Sequence, residues 1–332
     1  MEIGLMASGV ARTLVLGAVG FFAVLLIHEL GHLMVGAMVR FRFGMIGVGP
    51  LGLSRSGDGF RLRWLPVSQW GPFAMAYPTT PGRIRTRVAW YIAGGPLASL
   101  SLAVGAAWVT GEFSLRGMSG LAAVLSGAVF VATMQPFAGT GIGIPSDGAR
   151  LFSLVRGAPN ATASAALLAL EGATLAGTRP SSWDPAIVAL AAQVTGPPAY
   201  VMSAATAALR RATDGDHSAN VVELVARIRA VYPSVARMLR ADTAAELSFW
   251  LAHHGRDPVA AREFLHDAGG VLAEPYRRWT AEAAVRAAAD DREGARAALA
   301  RARASLSQGL GTPSALDRER IAWLESALGT GL

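Results

Sequence analysis

An apolar run near the N-terminus constrains this chain more than any other feature. Residues 13–39, TLVLGAVGFFAVLLIHELGHLMVGAMV, are long enough to cross a bilayer as one helix, and their only ionisable side chains are His28, Glu29 and His32. Titratable groups at membrane depth are costly and usually functional. A cleaved signal peptide is the alternative, but the run continues past these residues without a small-residue cleavage site. We therefore predict a transmembrane helix that carries a functional site.

The three ionisable residues form the motif HELGH. Residues four apart share one face of a helix, so His28 and His32 can bind one metal ion. In an H-E-x-x-H site the glutamate, here Glu29, is not a ligand but acts as a general base toward the attacking water. Chance matches to so short a pattern occur, yet its place inside an apolar run favours function. The chain has no cysteine, so His and carboxylate groups must hold any metal.

Composition divides the chain into two parts. It is 52% apolar and 16% charged, too apolar for an ordinary soluble protein and too charged for one that is all membrane. Residues 1–156 carry twelve Arg and five acidic residues, whereas residues 157–332 carry eighteen of each. The net charge of +7 belongs to the first part, where it flanks apolar segments, as membrane orientation requires. We therefore expect no nucleic-acid partner.

The charge pattern also predicts a topology. Residues 40–87 contain eight Arg and one acidic residue, which is typical of a cytoplasmic loop. Two runs on either side of SRSGDG predict a β-hairpin there, and Pro/Gly-rich residues 65–82 predict a loop that returns to the bilayer. Residues 88–109 form a second uncharged span, and residues 117–146 a third that is broken by Gly and Pro after about Met134. Three spans place the C-terminus in the cytoplasm.

The residue that ends the third stretch is a candidate metal ligand. Asp147 follows the Gly/Pro-rich segment on the same side of the membrane as HELGH and can approach it if that segment folds back. Its carboxylate would be the third protein ligand of a catalytic zinc. The other interpretation is that Asp147 caps the helix in SDGARLFSLV. The two roles are compatible.

Three motifs together resemble the site-2 protease family of intramembrane zinc metalloproteases. They are HELGH, the GGPLAS element of the second span, and the Pro-containing segment that ends in Asp-Gly, and they cover about residues 10–156. The resemblance implies one Zn²⁺ per chain held by His28, His32 and Asp147, with Glu29 as general base, and cleavage of a partner's transmembrane segment near the cytoplasmic face. Family members usually have Asn-x-x-Pro before Asp-Gly. Here Gln135 directly precedes Pro136, and the resemblance makes Gln135 the candidate substrate-binding residue.

The remainder of the chain, from residue 158, differs in kind. Its Ala-rich amphipathic segments are separated by DP, EP and DD breaks and recur at about 34 residues, which predicts tetratricopeptide-like helical hairpins. Residues 187–209 are apolar, but a Gly-Pro-Pro break divides them into two helices too short to cross a membrane. The histidines of this region have no carboxylate at a metal-site spacing, so we predict that none is a ligand: His217, His253, His254 and His266.

The predicted fold is an all-α polytopic membrane domain, residues 1–157, with about three core transmembrane helices and a membrane-associated β-hairpin, followed by a soluble α-helical repeat domain, residues 158–332. The predicted function is intramembrane zinc proteolysis of a transmembrane protein in the cell membrane. The cytoplasmic repeats would bind a peptide or protein partner. A non-catalytic scaffold for transmembrane partners is the alternative. A transporter with a metal site is a further one, weakened by the absence of paired broken helices.

Overall fold

The computed structural model describes residues 2–56, 59–65, 67, 70–110, 117–136, 145–215, 220–269, 274–309 and 311–329. The chain forms two compact units, of which the first comprises residues 1–53, 62–78 and 85–158 and the second residues 54–61, 79–84 and 159–332. The elements of the first half are α1 (Glu2–Met38), β1 (Arg42–Val48), β2 (Leu51–Ser56), β3 (Gly59–Trp64), β4 (Phe73–Tyr77), α2 (Ile84–Thr110), α3 (Gly117–Met134) and α4 (Asp147–Arg156).

Among the described residues, two helices are long and apolar enough to cross a membrane. The apolar segments are Val15–Met38 of α1 and Ile84–Val109 of α2, whereas α3 is apolar but shorter. Large apolar side chains are exposed along both long helices, for example Val19 and Met34 of α1 and Trp108 of α2. Such surfaces suit a lipid environment, because lipid tails accept them without cost. The first two predicted spans therefore correspond to helices of the required length, and the third span stays a prediction.

The sheet is larger than the predicted hairpin. Four strands lie in the order β3-β2-β1-β4, and β1 pairs antiparallel with β4, from Arg42 opposite Tyr77 to Gly47 opposite Phe73. The prediction missed two features of this segment. A turn with Gly49 at φ 58° divides the first arm of the hairpin into β1 and β2, and the strand β4 lies inside the residues that we predicted to be a loop.

The second half consists of helical hairpins. Its helices are α5 (Ala161–Leu175), α6 (Pro185–Ala192), α7 (Pro198–Asp214), α8 (Val221–Val231), α9 (Arg237–His253), α10 (Pro258–Leu265), α11 (Pro275–Ala288), α12 (Arg292–Ser305) and α13 (Ala315–Ala327). Neighbours pack in pairs, α5 with α6 through α11 with α12, and α5, α7, α9 and α11 pack against one another in that order. These four helices begin at residues 161, 198, 237 and 275, so the spacing is 37 to 39 residues. The predicted spacing of about 34 was too short.

Local sequence explains where these helices begin. Proline is the first residue of α6, α7, α10 and α11, where its fixed φ suits a helix and its missing N–H is not needed. The side chains of Asp257 and Asp291 cap α10 and α12. Residues 187–209 form parts of α6 and α7, separated by residues 193–197, as the Gly-Pro-Pro break predicted.

Candidate metal centre

Helix α1 presents the HELGH residues toward the interior of the first unit. His28, Glu29 and His32 are only 3%, 6% and 6% exposed, in a helix whose other large side chains are mostly exposed. The two histidine rings lie 4.9 Å apart, centroid to centroid, as expected for residues one turn apart. The side of α1 that faces away from lipid is therefore the side that carries the ionisable groups.

Helix α2 approaches α1 closely because both helices have glycine at the crossing. A Cβ atom on Gly31 would collide with the carbonyl oxygen of Gly94, and one on Gly94 would collide with that of Gly31. One residue further along α2, a Cβ atom on Gly95 would lie 2.7 Å from Nε2 of His28 and even closer to that of His32. Small residues at a crossing let backbones approach. The missing side chain of Gly95 also leaves room for both imidazole rings.

Asp147 reaches the histidines from the start of α4. Ser146, not Asp147, is the N-cap of this helix, and its Oγ accepts a hydrogen bond from the backbone N–H of Ala149. The capping role that the sequence suggested for Asp147 was therefore wrong by one residue. The Ser146 hydroxyl also donates to the carbonyl of Gln135, and the Cα of Gly148 packs against the backbone of Met134. These contacts hold the start of α4 against the end of α3.

The three predicted ligands converge on one point. Oδ2 of Asp147 lies 3.2 Å from Nε2 of His28 and 3.3 Å from Nε2 of His32. One ligand atom from each residue lies within 4.8 Å of the other two. The three side chains can therefore hold one metal ion together.

The other ring nitrogens are held by α2. Nδ1 of His32 lies 2.9 Å from the carbonyl oxygen of Tyr91, and Nδ1 of His28 lies 2.9 Å from Oγ of Ser99, which is fully buried. A carbonyl oxygen can only accept, so Nδ1 of His32 carries the proton. The backbone nitrogen of Gly95 also lies 3.3 Å from Nδ1 of His32. Its N–H does not need this acceptor, because inside a helix it donates to the carbonyl four residues back, which is that of Tyr91. In neutral His32, Nε2 is therefore an acceptor.

This proton arrangement fits a bound cation. A neutral imidazole Nε2 and an anionic carboxylate oxygen face each other in a buried site, and two acceptors at this distance repel unless a positive charge lies between them. Two nitrogen ligands, one oxygen ligand and outer-shell hydrogen bonds at Nδ1 match the donor set of a catalytic zinc site. The residues present therefore fit a zinc ion.

Glu29 lies beside these groups but is not one of them. Its nearest charged neighbours are His32, His28 and Asp147. Within the described residues its carboxylate forms no hydrogen bond and no ion pair, which leaves both oxygens available to a water molecule or substrate. This is the arrangement that a general base requires.

The sequence prediction did not identify every residue of this centre. Ser99, the carbonyl of Tyr91 and the small side of Gly95 all contact the histidines, and they recur every four residues along α2, which is the spacing of His28 and His32. That shared period was available in the sequence. Gln135, predicted to bind substrate, lies exposed at the end of α3, and its backbone carbonyl contacts Ser146.

An apolar helix that carries a convergent ligand set, with a buried glutamate that has no ion pair in the described residues, is the arrangement expected of a membrane metallopeptidase. Comparison with protein-family models matches residues 16–259 to Peptidase family M50, which is more than half of the chain. The chain belongs to this family, the site-2 protease family, whose members are zinc metalloproteases of membranes. Searches of curated proteins and of solved structures found no match.

Proposed function

We propose that this protein is a zinc metalloendopeptidase that hydrolyses a peptide bond in or near the transmembrane segment of a membrane protein. The observation that carries this proposal is the convergence of His28, His32 and Asp147 within 4.8 Å beside Glu29 on an apolar helix. A metal site on an apolar helix would act on a peptide segment that lies beside α1 in the bilayer. A transmembrane segment of another protein is the substrate that this position suits.

Each residue has a defined part in the reaction. His28, His32 and Asp147 hold the zinc ion, which when bound supplies Lewis-acid polarisation of the scissile carbonyl. Glu29 accepts a proton from the attacking water and passes it to the amine that leaves, so one carboxylate serves as base and then as acid. Ser99 and the carbonyl of Tyr91 keep the two imidazole rings turned toward the ion. Gln135 contacts the substrate backbone through its amide.

The central experiment separates hydrolysis from metal binding. Glu29→Gln keeps the shape of the side chain but cannot accept a proton, so cleavage of a transmembrane substrate should fall by about 10² to 10⁴. Asp147→Ala should lose zinc as well as activity. Zinc content of the detergent-purified protein and cleavage of a co-reconstituted transmembrane peptide are measured on the same preparations. Near-normal cleavage by Glu29→Gln would refute the proposed chemistry, and undiminished zinc in Asp147→Ala would remove that residue from the ligand set.

A non-catalytic scaffold is the second candidate. It would bind transmembrane partners with the same fold and would need neither zinc nor Glu29. The same experiment distinguishes a scaffold from a peptidase. If the protein is a scaffold, the wild type should bind the transmembrane peptide and leave it uncleaved. The free carboxylate of Glu29 favours the peptidase.

The second half of the chain is a tetratricopeptide-like domain that recruits substrate and performs no chemistry. Its stacked helical hairpins are the architecture that offers extended surfaces to peptides or proteins. Tethering a partner near the metal centre raises its local concentration to about millimolar for a short linker. Deleting the residues after Asn160 should therefore spare zinc binding and cleavage at high substrate concentration, but slow cleavage of the natural partner in membranes. Loss of zinc from a truncated protein that remains folded would refute recruitment as the domain's role.

The enzyme is a multi-pass protein of the cell membrane with residues 40–87 and the C-terminal domain in the cytoplasm. Eight Arg against one acidic residue in that loop support this orientation. The chain has no cysteine, so a single Ser56→Cys substitution gives a clean probe. The expected result is labelling by an impermeant thiol reagent only after the cells are opened. Labelling in intact cells would reverse the topology.

A further inference from the structure

A groove between α2 and α4 lies apart from the metal centre. Its volume is about 340 Å³. The residues that line it are Arg85, Thr86, Ala89, Trp90 and Ala93 of α2 and Leu151, Leu154 and Val155 of α4. On α2, the residues that contact the histidines are Tyr91, Gly95 and Ser99, none of which lines the groove. Different faces of α2 therefore serve the metal centre and the groove.

The wall of the groove is apolar and open to the surroundings of α2. Ala89 and Ala93, one turn apart, have small side chains that leave room between the two helices. Trp90 is 57% exposed and Val155 is 69% exposed, whereas Leu154 is buried and closes the inner side. Exposed Trp is typical of the membrane–water interface. The groove thus suits a flexible apolar chain, and it is too small for a second helix about 10 Å across.

One end of the groove is positively charged. Arg85 lies near the start of α2, and its Nη1 packs against Gly157 at the end of α4. The neighbouring Arg156 is exposed, with its guanidinium 3.7 Å from the centre of the Phe152 ring. Neither arginine forms an ion pair within the described residues. Arg85 approaches the C-terminal end of α4, where the helix dipole carries about half a negative charge.

We propose that the groove binds an anionic phospholipid, with the phosphate at Arg85 and Arg156 and an acyl chain along Ala89, Ala93 and Leu154. Two arginines without acidic partners complement an anionic headgroup, and basic pockets between membrane helices are known to take such groups. Arg85 lies at one end of α2, a helix that can cross the bilayer, and this end is at the level of the headgroups. This proposal rests on membrane insertion and does not depend on peptidase activity.

The test measures lipid retained by the intact chain. Protein reconstituted in vesicles of phosphatidylcholine and phosphatidylglycerol is extracted in mild detergent, and the bound lipid is counted by native mass spectrometry. Wild type should retain phosphatidylglycerol in preference to phosphatidylcholine. Arg85→Gln should lower that retention about fivefold. This factor corresponds to the loss of about 1 kcal/mol, the contribution of one basic residue at an anionic surface. Ala93→Leu, which fills the apolar part, should lower retention of the same lipid.

Two control variants make the result decisive. Arg83→Gln removes the same charge from an exposed position two residues away that does not line the groove, and Val104→Phe adds bulk to an exposed position elsewhere on α2. Neither should change the retained lipid. Equal losses in Arg85→Gln and Arg83→Gln would mean general surface attraction and would overturn the proposal. Equal retention of both lipids by wild type would overturn it as well.

Discussion

Two buried carboxylates of the C-terminal half, Glu246 and Asp317, have different partners from two of the membrane half, Glu29 and Asp147. In the C-terminal half, Glu246 of α9 is 2% exposed, and its oxygens lie 2.9 Å from Arg210 and 2.6 Å from Arg320. Burial opposes its ionisation, yet the charges of Arg320 and Arg210 hold the pKa of Glu246 at about 2. Asp317 of α13 is buried as well, beside Arg277 and within a capping box with Ser314.

In the membrane half, Glu29 and Asp147 have no arginine partner within the described residues. Their ionisable neighbours include His28 and His32, and histidine nitrogens are ligands that zinc accepts. Arginine is always protonated, so its N–H groups neutralise a buried carboxylate and donate hydrogen bonds to it. A neutral histidine instead presents a nitrogen lone pair beside the carboxylate oxygen, and a cation can bind to both. The difference separates groups that hold a domain together from groups that carry out chemistry. Arginine is abundant in both halves, so a shortage of arginine does not explain why Glu29 and Asp147 lack an arginine partner.

The largest predicted effect concerns Glu246. Glu246→Ala leaves Arg210 and Arg320 buried without a carboxylate, which should destabilise the C-terminal helices by about 3 to 5 kcal/mol. Hydrogen exchange of the α9 amides in the full-length protein measures this change. The matched control is Glu263→Ala, an exposed site without an ion pair in the described part of the chain, with an expected change below about 0.5 kcal/mol. Zinc content should be unchanged in both variants, and its loss in Glu246→Ala would break the division between the halves.

Next in size is the effect of Ser99. Ser99→Ala removes the hydroxyl that holds Nδ1 of His28, so zinc affinity should fall by about 10- to 100-fold. Competition with a chelator measures the affinity without any need for activity. Ser126→Ala is the matched control, because Ser126 is equally buried on α3 and its hydroxyl has no hydrogen-bond partner in the part of the chain that the structure describes. Ser99→Thr, which keeps the hydroxyl, should retain most of the affinity. If both alanine variants lose zinc equally, Ser99 acts through packing alone.

The metal centre was more predictable from sequence than its surroundings. HELGH and Asp147 were identified because ionisable residues are conspicuous in or beside apolar segments. Ser99 was not, because serine is common in membrane helices and the four-residue period that it shares with Tyr91 and Gly95 does not by itself show which face of α2 contacts the histidines. Strand β4 was missed because its five residues, FAMAY, lie between Pro/Gly-rich turns that favour a loop. The repeat spacing was underestimated because Ala-rich helices resemble one another and obscure the register.

The smallest predicted effect is a pH dependence confined to the C-terminal half. His253 lies against Trp323, with ring centroids 3.9 Å apart. Burial, with added repulsion from His254 and Arg320, lowers the pKa of His253 to about 4. The unfolded value is about 6.5, so between these values the unfolded chain binds a proton that the folded chain does not. Stability of this half should therefore be constant above about pH 6.5 and fall as the pH drops toward 4.

Because His253 is only half-buried, solvent screening should limit this loss to about 1 kcal/mol. Hydrogen exchange of the α9 and α13 amides is measured at several pH values between 7 and 4.5. Because it reports on the C-terminal helices, this measurement separates the effect of His253 from any titration at the metal centre. His253→Gln should flatten the dependence in this window, while His266→Gln, whose side chain is 75% exposed, should leave it in place. Below about pH 4.5 a further loss should appear in both variants, because Glu246 of the unfolded chain then binds a proton while Glu246 of the folded chain, with a pKa of about 2, does not. A smaller slope should remain in His253→Gln, because burial also lowers the pKa of the neighbouring His254. A slope that is undiminished in His253→Gln would remove His253 as its cause.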